Sequence, residues 1–286
     1  MAAPSSSNAR PPNYWPVAAV VRLVLAVGLA LATLYAGYYR AGYRWRQDPS
    51  YHRFADNRSL GPIPNAGDVL SNLAFAVVGI LGCSRMFTYE RRSPLAGGRR
   101  WVRSRREAIL GFFSSVAMIA LGSAYYHWTP NNATLVWDRL PMTIAFSTVL
   151  SSVVLERFHP VFGSRTAYYC IVVLGTASVA WWHYTEDLLP YFVMQACPFI
   201  LYPISLLLTR KPPTQAPGTE WKMLVCVVLY ALAKLAEVED KTLFEATHHI
   251  VSGHTVKHLL AAVCTAIFGS VVLYAPNTLP EVRKQQ

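Results

Sequence analysis

Charge is scarce in this chain. Asp, Glu, Lys and Arg make up 14% of its 286 residues, against about 25% in soluble domains. That is too little to keep an ordinary globular surface in water. The five cysteines, Cys83, Cys170, Cys197, Cys226 and Cys264, form no CxxC pair and none lies in a loop. Metal and redox motifs of the CxxC type are therefore excluded, and the cysteines read as small core residues. There is also no internal repeat and no separate soluble domain.

What the sequence has in quantity is apolar residue, 53% of the chain, gathered in runs that recur along nearly its whole length. Such runs predict an all-α, polytopic membrane bundle. The net charge is +11. In a soluble protein that balance would raise nucleic acid as a partner. Here the basic residues sit largely in loops, where they set topology and touch anionic lipid. No nucleic-acid partner is expected, and no obligate protein partner is inferred.

Residues 1–14, rich in Ala, Ser, Asn and Pro, predict a disordered tail. The apolar run 15–39, interrupted only by Arg22, exceeds a signal-peptide core of about 7–15 residues and predicts a spanning anchor. Ala30-Leu31-Ala32 offers a small-residue cleavage pattern, so removal of this segment stays open. The polar stretch 40–67 carries Pro49, Gly61, Pro62, Pro64 and Gly67 and predicts an ordered loop. Further spans follow at about 68–87, 107–126, 134–155, 166–183, 187–208, 221–236 and 253–274, and residues 275–286 form a second tail. The total is eight helices, or seven if the first is removed.

The connection 85–106 holds seven arginines between Arg91 and Arg106 and is expected on the cytoplasmic side. Alternation then puts both termini inside. The loop 40–67, with its five arginines, is forced outside against the same rule. The outer acidic groups Glu186, Asp187, Glu237, Glu239 and Asp240 are available to balance those arginines.

This topology brings polar helix ends to one membrane depth. Ser71 and Asn72 lie at the outer end of the second span. Ser123 and His127 lie one turn apart at the outer end of the third, and Asp138 opens the fourth. His254 and His258 open the last. Three imidazoles and a water make a catalytic zinc shell. Asp138 could orient or deprotonate that water, and Ser123 could donate to a developing oxyanion. Each reading has an alternative. The histidine pair could be interfacial, Asp138 could pair with Arg139 or Lys257, Ser123 could bond its own helix carbonyl, and Ser71 and Asn72 could be packing glue.

Ser71-Asn72-Leu73, Gly122-Ser123-(three residues)-His127, Asp138 ahead of Leu140-Pro141-Met142, and His254-(three residues)-His258 together resemble the alkaline ceramidases. These belong to a membrane-hydrolase superfamily that also includes adiponectin-type receptors. The similarity covers about residues 48–274. It implies a seven-helix hydrolase core (residues 40–274) with one extra N-terminal transmembrane helix. It further implies zinc on His127, His254 and His258, Ser123 and Asp138 as the catalytic pair, and Ser71 and Asn72 in support. The expected activity is cleavage of the N-acyl amide bond of ceramide or a related long-chain lipid, with the site toward the lumenal side of an endoplasmic reticulum or Golgi membrane. A zinc-containing receptor of the same superfamily is the alternative. Animal members also bind calcium through an acidic cluster before the first core helix. The matching stretch holds Asp48, Asp56, Asn57, Asn65 and Asp68 but no glutamate, and calcium is carried as a second candidate metal on those five residues.

Overall fold

A backbone surrounded by apolar side chains and lipid must satisfy its own N–H and C=O groups, and long apolar runs do so as helices. In the computed structural model, which describes residues 17–92, 100–157, 165–208 and 217–274, the chain is all-helical, with no strand among the described residues. The long helices are α1 (Val17–Arg40), α3 (Leu73–Arg92), α4 (Arg100–Trp128), α5 (Asn132–Arg157), α6 (Arg165–Thr185), α7 (Leu189–Leu208), α8 (Thr219–Val238) and α10 (Gly253–Tyr274). Two short ones, α2 (Ala66–Ser71) and α9 (Asp240–Ala246), sit between them. Each predicted span but the second falls on one long helix. Both tails, and the middle of the arginine-rich connection (93–99), lie outside the described residues.

Four segments are long and apolar enough to cross a membrane: Ala66–Thr88, Glu107–Trp128, Leu189–Leu207 and Gly253–Val271. At most half of any of them is buried within the protein. The remainder exposes Leu73, Val77 and Ile80 on α3 and Met118 and Leu121 on α4. Apolar faces of that extent suit lipid rather than water, the mark of a membrane protein.

Three boundaries differ from expectation. The second span is broken at Asn72, between α2 and α3. Asn72 Nδ2 donates to the carbonyl of Asp68 at 2.8 Å, which satisfies an acceptor at the break. The expected loop 237–252 contains α9. Helix α4 starts at Arg100, because arginine is a good helix former and extends the helix past its apolar part.

Packing runs α3–α4–α5–α6 on one side, while α10 lies on α8 and against α3 and α4. Two glycines permit the closest approaches. A Cβ on Gly122 would sit 2.1 Å from the carbonyl oxygen of Trp137. Pro141 lies inside α5 and has no N–H to bond that carbonyl, four residues back, so the sequence frees the oxygen against which Gly122 packs. Gly253 does the same for α10, where a Cβ would sit 2.1 Å from the Ala236 carbonyl oxygen of α8.

Candidate metal centre

The Gly122–Trp137 contact sets α4 and α5 side by side one residue before each functional side chain. Ser123 and Asp138 follow directly, both buried, and the Ser123 hydroxyl hydrogen-bonds to the Asp138 carboxylate. One turn beyond Ser123, His127 points into the bundle with no exposed surface. The start of α10 brings His254 and His258 to it. The ring centroids stand 4.6 Å (His127–His254), 4.9 Å (His127–His258) and 4.9 Å (His254–His258) apart, each pair edge to face. One ligand atom from each lies within 4.8 Å of the others.

The hydrogen bonds around these rings bear on whether a metal fits. Neither Nδ1 nor Nε2 of His127 has a partner, although the ring is fully buried. Orphaned buried nitrogens are rare, and a metal is one of the few things that explains them. Ser71 Oγ donates to the carbonyl of Asp68 at 3.0 Å and lies 2.7 Å from His258 Nδ1. With its one proton spent, Ser71 accepts from Nδ1–H, which leaves the lone pair of His258 Nε2 free for a metal. Lys257 Nζ stands 3.1 Å from His254 Nε2. An ammonium can only donate, so it takes the lone pair of His254 Nε2, and a metal bound through that nitrogen would have to take its place. The three residues fit a tri-histidine metal ion such as zinc.

The entry to α10 is pinned by two carboxylates. Asp240 Oδ1 accepts the backbone N–H of His254 at 2.8 Å, and Asp68 Oδ1 accepts the hydroxyls of Ser252 (3.0 Å) and Thr255 (2.9 Å). These bonds tie α9 and α2 to α10, and with them Ser71 to His258. Phe54, from the loop after α1, places its ring 4.5 Å from His127 and 5.0 Å from His254 and covers the trio on that side.

Of the two supporting residues, Ser71 reaches the site and Asn72 serves the helix break. Asp138 makes no ion pair with Arg139 or Lys257 among the described residues. Arg139 turns to Gln47, and Lys257 donates to Glu237 Oε1 at 2.6 Å. Glu237 also takes Lys234 and the Tyr51 hydroxyl (3.0 Å). It therefore does not balance the loop arginines, although Glu186 does pair with Arg46 at 3.5 Å. The Lys234–Glu237–Lys257 group, in which the Glu237 side chain is buried and Lys234 stays part-exposed, escaped the sequence reading. Its one legible signal was the i,i+3 spacing of Lys234 and Glu237.

The five residues of the calcium expectation take separate partners, and among the described residues the His, Cys, Asp and Glu side chains grouped so that they could hold a metal are the three histidines. Asp48 is exposed and caps the short 3₁₀ turn Pro49–His52 through the N–H of Ser50. Asp56 is buried against Arg58, whose guanidinium holds its carboxyl below the usual carboxylate range. Asn57 is exposed, Asn65 donates to the His127 carbonyl at 2.8 Å, and Asp68 binds the start of α10. Asp48 and Asp56 spend oxygens on nearby N–H groups, whereas Asp68 keeps Oδ2 buried without a hydrogen-bond partner.

Behind the trio, Ser123, Asp138, Lys257 and His258 line a cavity of about 170 Å³. The wall also holds Gln47, Arg139, Gln195, Lys234 and Glu237, and most of the rest is apolar and aromatic, with Phe112, Phe146, Tyr202, Met223 and Phe268 among the residues.

No family model matches the chain, and no curated protein matches it.

Proposed function

We propose that this protein is a membrane-embedded zinc amidohydrolase that cleaves the N-acyl bond of ceramide or a related long-chain lipid. In this reading the seven long helices from α3 onward are the hydrolase core of a ceramidase-like protein, with α1 as an added anchor. The observation that carries the proposal is one shared wall. Ser123, Asp138 and His258 line the same cavity, and most of the remaining wall is apolar or aromatic, with Arg139, Lys234, Glu237 and Lys257 as its other charged groups. Chemistry on a polar bond and accommodation of a long hydrocarbon are thus required of one space.

A bound zinc ion would be held by His127, His254 and His258, and would supply Lewis acidity and a water acidic enough to ionise near neutral pH. The remaining work falls to the chain. Asp138 accepts a proton at its carboxylate as the attacking water is consumed. While ionised it holds the Ser123 hydroxyl. Once protonated it becomes the donor to Ser123 Oγ, and the Ser123 proton is released to turn toward the charge developing on the substrate carbonyl. The same Asp138 then returns its proton to the departing amine. Phe54 and the aromatic wall keep bulk water away, which strengthens each of these interactions.

Zinc content and ceramide hydrolysis, measured on the same preparations, test this. Asp138→Asn should keep zinc and lower hydrolysis by about 10²–10⁴-fold. Ser123→Ala should keep zinc and cost about 2.7–4 kcal/mol of barrier. Wild-type protein that holds zinc yet hydrolyses no N-acyl lipid would favour a receptor instead. Unchanged hydrolysis in Asp138→Asn would discard this proton route.

A further inference from the structure

The cavity has a second polar group in its wall that the proposed chemistry does not use. Arg139 follows Asp138 on α5 and is 4% exposed. Its Nη2 donates to Gln47 Oε1 at 2.5 Å, and its guanidinium carbon lies 4.1 Å from the Trp182 ring and 4.7 Å from that of Tyr191. Nη1 is buried with no hydrogen-bond partner. No carboxylate pairs with it among the described residues, since Asp138 holds Ser123 and Glu237 is taken by Lys234, Lys257 and Tyr51.

That arrangement is costly as it stands. A guanidinium stays charged at any accessible pH, and burying one without an anion forfeits its hydration. The two aromatic faces offset only part of that loss. The charged residues of the cavity wall are three cations, Arg139, Lys234 and Lys257, against two carboxylates, Asp138 and Glu237. The wall is therefore one positive charge in excess before any metal is added. An oxyanion entering the cavity would supply both the missing acceptor and the missing charge, and guanidinium is the side chain whose donors best match one.

We infer that Arg139 is the anchor for an oxyanion, a carboxylate or a phosphate, on the head group of the amphiphile that fills this cavity. The inference rests on reading the cavity as the substrate's, and it narrows the N-acyl lipid to one with an acidic head group. Gln47 holds the fork in place from the loop side, and the hydrocarbon of the same molecule runs along Phe146 and Phe199 in the wall.

The test uses the full-length protein in a neutral detergent, with ligand-induced thermal stabilisation as the readout. N-palmitoylglycine, its methyl ester and hexadecyl phosphate are titrated separately. At least one of the two acids should bind about 10- to 100-fold more tightly than the ester, as a charged hydrogen bond implies. Whichever acid is favoured identifies the oxyanion, and either supports the site. Arg139→Met should bring the acid down to the ester's affinity with zinc content unchanged, and Arg139→Lys should recover part of the preference. Equal affinity of the wild type for both acids and the ester overturns the inference, and that comparison needs no variant to fold. Hydrolysis of N-palmitoylglycine and ceramide on the same preparations separates the two claims. Acid-selective binding without any hydrolysis removes the amidohydrolase and leaves the anion site. Hydrolysis without acid selectivity removes only the anion site.

Discussion

Two groups of candidate ligands have different fates in this fold. His127, His254 and His258 stand on α4 and α10 and converge to within 4.8 Å. Asp48, Asp56, Asn57, Asn65 and Asp68 lie along and just after the loop that follows α1, and they go separate ways. The difference comes from what fixes each backbone. A helix converts a spacing of four residues into one face, so the pair on α10 is set before any tertiary contact forms. A loop has no such period. Its polar side chains bond whichever backbone or cation lies nearest, as Asp48 does with Ser50 and Asp56 with Arg58.

The sharpest way to break this comparison is to remove one member of each group and count metal. Purified protein should hold about one zinc per chain, and His254→Ala should lose it. Ser71→Ala removes only the acceptor that orients His258, so it should weaken zinc by about 10- to 100-fold. Asp48→Asn should leave zinc content unchanged. Elemental analysis of the four proteins after dialysis decides the matter. Retained zinc in His254→Ala, or lost zinc in Asp48→Asn, would reverse the assignment of the two groups.

A smaller effect tests whether helix packing, rather than ligand identity alone, positions the site. Gly122→Ala puts a Cβ against the Trp137 carbonyl, where the gap is 2.1 Å. The two helices must part there, at an overpacking cost of about 1–3 kcal/mol. Thermal unfolding in detergent should show that loss, and hydrolysis should fall with it because Ser123 and Asp138 ride on the displaced backbones. Wild-type stability would mean that α4 and α5 are not in this contact.

The smallest effect lies in the loop. Because Arg58 depresses the Asp56 carboxyl in the folded protein, the pair stabilises the loop above the ordinary carboxylate range of about 4. Its contribution should fade as pH falls through and below that value. Loop opening followed by limited proteolysis should therefore rise in acid for the wild type. In Asp56→Asn it should be high and flat across the same range. An acid response that survives the substitution would assign it to another group.

Much of the site was legible because it is helical. The four-residue spacing of His254 and His258, the same spacing in Ser123 and His127, and the apolar runs that carry them are all written locally. Pro141 and Gly122 are legible too, but only as a proline and a glycine in apolar segments. Nothing in the sequence says that one frees the carbonyl that the other packs against. Glu237 is the clearest residue to have been misread. By position it is a polar residue at a helix end, free to meet the loop arginines. Only the packing of α8 on α10 brings Lys257 to it.

The sequence by itself determined that the chain is helical, that its long segments are apolar enough for a membrane, and which histidines share a face, since each depends on periodicity within one segment. The tertiary structure alone decided that His127 meets the pair on α10, that Arg139 is buried with an N–H left over, and that the acidic loop residues take separate partners. Those outcomes depend on which helices lie side by side, and contacts between segments far apart in the chain have no local signature.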